Sequence, residues 1–191
     1  MGGTWLPLAA VVLLFGCAPT QPAAMPPAES GAGAVQARPS GTIRIAWGAE
    51  PSTLRTKFEQ GGASAARELA VTFDSFLTNR DRSGAVVPEL ARQIPTVDNG
   101  DWVVRPDGTM TTVYRLRENA RWHDGAPIDA SDFVFAYTIY TDTELSVAKR
   151  APENSISSVE APDPHTVVIN WKEPFFRANE LGNEEMDPLP R

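Results

Sequence analysis

Between Thr111 and Tyr140 the spacing of apolar residues changes period, and this limits the folds open to the chain more than any other feature. From Thr111 to Arg117, Thr112, Tyr114 and Leu116 alternate with Val113, Arg115 and Arg117, the period of two expected of a strand with one buried side. After the break His123-Asp124-Gly125-Ala126-Pro127, the residues Phe133, Val134, Tyr137 and Tyr140 follow at helical spacing. Asp129 stands where an N-cap belongs. Asp132, three positions on, can reach back to the cap's backbone N–H, and both carboxylates suit the positive end of the helix dipole. The helix is therefore expected to start between them.

Other segments extend this pattern. Trp102 to Arg105 and Thr111 to Arg117 flank Pro106-Asp107-Gly108-Thr109, in which Pro sets one turn dihedral and Gly accepts a positive φ, so a β-hairpin is expected. A second hairpin is expected to pair Ile156 to Ala161 with Thr166 to Trp171 across Pro162-Asp163-Pro164-His165, with Val167, Ile169 and Trp171 pointing inward. Ala65, Leu69, Phe73, Phe76 and Leu77 recur at threes and fours and predict a helix over Ser64 to Leu77. Asn79 to Gly84 reads as a turn, and Pro88 suits the first position of a short helical turn through Glu89, Leu90 and Ala91. Thr42 to Trp47 alternates and predicts a strand entering the loop Gly48-Ala49-Glu50-Pro51. Strands and helices mix without a regular βαβ repeat, so the fold class is α/β, a sheet of hairpins with flanking helices.

Composition removes several functions. Lys and Arg number 17 against 24 Asp and Glu, a net charge of −7, and a nucleic-acid partner would need the opposite sign. One cysteine, Cys17, and two histidines cannot build a disulfide or a cysteine-rich metal site, so no metal or cofactor is expected. Asp107, Asp124, Asp129 and Asp132 each have a turn or cap to serve, and His123 beside Asp124 is a pair of adjacent turn residues. No enzyme is expected. Arg80-Asp81-Arg82 reads as a solvated charge run.

Met1 to Ala28 carries no charged side chain, and Leu6 to Phe15 is an apolar run of ten residues, shorter than the ~20 that a membrane span needs. It reads as a secretory signal, and Leu14-Phe15-Gly16-Cys17 resembles a bacterial lipobox, which implies lipidation at Cys17. Pro19, Pro22, Pro26, Pro27 and Pro39 among Ala, Gly and Ser then make a tether. The expected division is a signal peptide over residues 1–16, the lipidated cysteine and disordered tether over 17–41, and a folded part over 42–191.

The stretch Tyr114-Arg115-Leu116-Arg117-Glu118-Asn119-Ala120-Arg121-Trp122-His123-Asp124-Gly125-Ala126-Pro127-Ile128-Asp129-Ala130-Ser131-Asp132-Phe133-Val134 resembles the strand, turn and helix signature of the family 5 extracytoplasmic solute-binding proteins, which serve ABC importers. Phe73-Asp74-Ser75-Phe76-Leu77 with Gly84 and Pro88-Glu89-Leu90-Ala91, and Val159-Glu160 through Thr166-Val167-Val168-Ile169 to Pro174, support it. Asp129 stands where Thr or Ser is the usual cap, and Phe133 where Val is commoner.

The resemblance implies part of a periplasmic-binding-protein type II lobe: the N-terminal lobe of a longer receptor, incomplete here. It further implies a monomer that catalyses nothing, closes on an oligopeptide or similar small solute and delivers it to a membrane permease from the periplasmic or extracytoplasmic face. Since ligands in open α/β sheets lie beyond the carboxyl ends of strands, Trp47, Gly48, Ala49 and Glu50 are the candidate ligand-binding residues, with Gly48 allowing close backbone approach and Glu50 able to meet a cationic group. The alternative is a truncated structural or interaction lipoprotein that shares the partial fold without capturing solute.

Overall fold

In a computed structural model of the chain, the described residues are 41–42, 44–46, 48, 50, 53–54, 56–58, 64–145, 147, 151–183 and 185–191. The chain divides after Arg44, and the architecture below is that of the unit from Ile45 to Arg191. The expected signal peptide, Cys17 and most of the tether lie outside the described residues.

Helix α1 runs Ser64–Phe73. A small antiparallel hairpin, β1 (Thr78–Arg80) with β2 (Val86–Pro88), follows it. The larger sheet holds β3 (Trp102–Val104), β4 (Met110–Arg115), β5 (Ile156–Asp163) and β6 (Thr166–Trp171) in the order β3-β4-β6-β5, all antiparallel. Helix α2 (Ala130–Thr141) lies between β4 and β5 in the chain and packs on β5 and β6.

Both expected hairpins form. Trp102 faces Thr112 and Val104 faces Met110 across the first. At its tip Asp107 Oδ1 accepts from Thr109 N at 2.9 Å and Thr109 Oγ1 at 2.7 Å, while Gly108 takes φ 85°. Those bonds favour the charged carboxylate and hold its pKa below the usual range. Asp163, the last residue of β5, is lowered the same way by the His165 backbone N–H and the Thr166 hydroxyl.

One face of the sheet is the core. Met110, Thr112 and Tyr114 of β4 and Val167, Ile169 and Trp171 of β6 are all buried, as the alternation requires, and Phe133 of α2 is buried with them. Tyr114 donates its hydroxyl to Ala178 O at 2.7 Å and Trp171 donates Nε1 to Thr112 Oγ1 at 2.9 Å, so neither large side chain strands its polar atom. Burial pushes the Tyr114 phenol pKa well up. The other face is polar: Thr111 donates to Asn170 Oδ1 at 2.9 Å, Asn170 donates to Glu160 Oε1 at 2.8 Å, and Arg115, half exposed, pairs with Asp101 at 3.1 Å.

The α2 cap forms as expected. Asp129 accepts from the Ser131 backbone N–H at 2.7 Å, and the Asp132 carboxylate accepts from the Asp129 N–H at 3.1 Å, completing a capping box.

Three local expectations are corrected. Helix α1 ends at Phe73 and not at Leu77. Phe76 and Leu77 are core residues, but their carbonyls accept from Leu90 N at 2.8 Å and from Glu89 N and Ala91 N at 3.1 and 3.2 Å, so cross-chain pairing replaces the last helical turn. Pro88 ends strand β2 opposite Thr78 and opens no helix, because Ala91 is drawn into a bridge with Leu116. Thr42, Arg44, Ile45 and Ala46 belong to no strand, and Ile45 is 58% exposed, since none of the described strands pairs with them. The charge run is also more than solvated: Arg80 ends β1, donates to Gly84 O at 2.7 Å and pairs with Glu180.

Candidate functional site

The Asp-Gly turn between β4 and α2 is tightly built. Trp122 N donates to Ala126 O at 2.8 Å, Gly125 N to Trp122 O at 3.0 Å, and Asp124 Oδ1 accepts from Ala126 N at 2.9 Å. Gly125 has φ 91°, a value any residue with a Cβ resists. Arg121 donates through Nη1 to Gly125 O at 3.1 Å. The turn is then clamped to the helix, because Trp122 Nε1 donates to Asp132 Oδ2 at 3.1 Å, the same oxygen that receives the cap's N–H. Asp132 is buried, so its charge is met by fixed donors and the start of α2 and not by solvent.

This clamped turn forms one wall of a groove of about 610 Å³. Arg121, Trp122, His123 and Asp124 line it together with Ile128, while Phe73, Asp74 and Ser75 come from the end of α1. Leu54, Pro188 and Pro190 complete it. Leu54 and Phe73 are 55% and 47% exposed, apolar surface left open to a ligand. The size is in the range of small-ligand sites, with an apolar lining and a few polar groups of both signs. Such a site can hold an organic body against Leu54, Phe73 and Trp122 while Arg121, Asp74 and Asp124 meet polar ends. Asp124 is engaged with the turn's own N–H, and His123 beside it is exposed on the same turn.

A second cavity of about 210 Å³ is lined by Arg80, Arg177, Glu180 and Glu185 among others. Arg177 pairs with Glu185 at 2.7 Å and with Glu180 at 3.5 Å, a closed set of two cations and two anions. Burial pushes the Glu185 carboxyl up, and Arg177 opposes that.

Of the residues chosen from the sequence, Gly48 and Glu50 are exposed, and a Cβ at Gly48 would meet nothing within 4 Å, so no close backbone approach by the described residues needs that glycine. Trp47, Ala49 and Cys17 lie outside the described residues. Trp122, Arg121 and Asp74, which line the groove, are not among the residues chosen from the sequence. A donor-bearing Trp ten positions before an N3 Asp, with a turn and a cap between them, was the available signal for the first.

Residues 85–187 match the family described as bacterial extracellular solute-binding proteins, family 5 middle. A Brucella ovis protein named for ABC-transporter peptide binding is 30% identical over 142 residues, 74% of this chain and 25% of that protein. The structure of AgaA from A. tumefaciens R10 in complex with agropinic acid superposes with a TM-score of 0.59 at 27% identity, covering 74% of this chain and 26% of that one. Haemophilus influenzae OppA in complex with RPPGFSPFR gives 0.59 at 25% identity, covering 75% and 29%. The match thus spans only a quarter of the length of the Brucella ovis protein. The α/β fold with antiparallel sheets agrees with these binding-protein neighbours over the part they share. Because the matched residues hold both hairpins of the larger sheet, the Asp-Gly turn and the capped helix, the chain belongs to the bacterial extracellular solute-binding proteins of family 5.

Proposed function

We propose that this chain captures a solute, a short peptide, on the outer side of the cytoplasmic membrane for delivery to the permease of an ABC importer, and that it carries out no catalysis. The observation that carries the reading is the family match itself, which contains the turn Arg121–Asp124 and the capped helix behind it. The Brucella ovis relative named for peptide binding and the Haemophilus influenzae OppA solved with RPPGFSPFR favour a peptide over other solutes.

In this reading the groove lined by Leu54, Phe73, Trp122 and Arg121, together with the loop residues Trp47, Gly48, Ala49 and Glu50, faces the solute. A peptide lies against it with its backbone extended and its side chains loosely held, which gives affinity without narrow sequence choice. A ligand that touches both walls of such a receptor binds the closed state better than the open one, and that difference drives closure. Lipid on Cys17 and the proline-rich tether after it hold the monomer near the permease and raise its local concentration there.

Calorimetric titration of the full chain with a pool of di- to pentapeptides checks the reading. Saturable heat with a Kd near about 1 μM, equivalent to roughly −8 kcal/mol, is expected. Absence of heat across the pool would reject peptide capture by this chain and leave a binding-protein fold without that activity.

A further inference from the structure

Lys57 and Glu153 form an ion pair with Nζ 2.7 Å from Oε1, and their side chains are only 4% and 3% exposed. The partners stand 96 positions apart, each in a single 3₁₀ turn, Thr56–Phe58 and Glu153–Ser155. Two charges lose their water at such a site, and apolar side chains of similar volume often serve stability as well or better. Stability alone therefore does not account for the pair. An apolar side chain can slide over its neighbours, whereas an ammonium joined to one carboxylate cannot move without leaving a bare buried charge.

The surroundings show what the pair joins. Lys57 Nζ lies 5.4 Å from the centroid of the Tyr140 ring, and the neighbouring Phe58 ring lies 6.5 Å from that same ring. Tyr140, on α2, donates its hydroxyl to Asp187 O at 3.0 Å, and Glu153 Oε1 also accepts from Met186 N at 3.2 Å. Glu153 Oε2 has no hydrogen-bond partner among the described residues, so the carboxylate is held through Oε1, by the Lys57 ammonium and the Met186 N–H, and Lys57 supplies the opposite charge. The end of α2, the turn at Glu153 and the chain at Met186–Asp187 meet at this point. Leu54 stands three residues before Lys57 and Pro188 directly after Asp187, and both line the groove.

We infer that Lys57 is a positioning residue: its buried pair with Glu153 fixes the turn Thr56–Phe58 on Tyr140 and so sets Leu54 as a wall of the groove. The consequence for peptide affinity rests on the proposed function, whereas the placement of Leu54 does not. The single change Lys57→Met strands Glu153 and can unfold the chain, so the double variant Lys57→Met/Glu153→Met carries the test. In the full chain, that variant keeps the parent's urea midpoint, while amide hydrogen exchange at Leu54 and Thr56–Phe58 quickens by about tenfold or more. Its affinity for the peptide pool falls by about tenfold.

Parent-like exchange in a stable double variant would overturn the inference. Faster exchange with unchanged peptide affinity would overturn the link from Leu54 to the solute. Should the parent itself bind no peptide, the proposed function fails, and exchange alone then decides whether Lys57 holds this wall.

Discussion

Replacing Trp171 by alanine lowers the stability of the chain by about 3–5 kcal/mol, a large share of the roughly 5–15 kcal/mol that holds a domain together. Trp171 ends β6 opposite both Met110 and Ile156, so it closes the middle of the sheet from two neighbouring strands. It is 1% exposed, and its ring stacks on Phe175 with centroids 5.0 Å apart and an interplanar angle of 12°. Truncation opens a cavity between strands that cannot collapse without breaking the ladder, and it removes the donor to Thr112. Phe176, 81% exposed and five residues away, is the control: its alanine variant changes stability by less than about 0.5 kcal/mol. Urea unfolding with parallel slopes for parent and variants measures both.

Asp132→Ala costs about 2–4 kcal/mol, more than a helix cap alone, because one carboxylate serves two elements. The capping-box bond to Asp129 N accounts for about 0.5–2 kcal/mol. The rest comes from Trp122, whose indole N–H loses its acceptor in a half-buried position, a loss of about 1–3 kcal/mol. Asp132→Glu restores the cap, since Glu at this position suits a capping box, but moves the acceptor away from Trp122. Circular dichroism separates the two contributions. The glutamate variant keeps the far-ultraviolet helix signal and loses the part of the near-ultraviolet signal that comes from Trp122, and a double-mutant cycle with Trp122→Phe gives a coupling of about 1 kcal/mol.

The parts of the fold visible in the sequence are those governed by local rules. Asp107 and Asp163 serve their hairpin tips, Asp129 caps α2, and Val167, Ile169 and Trp171 point inward because a strand repeats every two residues. What stayed hidden depends on partners far along the chain. Phe76 and Leu77 continue a helical stripe in sequence, yet Glu89, Leu90 and Ala91 take their carbonyls. Arg80 meets Glu180 at a separation of 100 positions, and Lys57 meets Glu153 at 96. No spacing rule joins residues so distant. The groove was half legible. Arg121 to Asp124 belong to the signature that carried the family resemblance and Phe73 to Ser75 to a supporting match, whereas Leu54 and Pro188 come from two other segments that only the folded chain brings to them.

Backbone amide NMR of the full chain, with and without the peptide pool, decides whether the proposed solute site is the groove beside the Asp-Gly turn. Shifts are expected at Leu54, Phe73 to Ser75 and Arg121 to Asp124, with Val97 and Phe176 unmoved. Saturable binding that left those groove amides unchanged while shifting others would contradict that site.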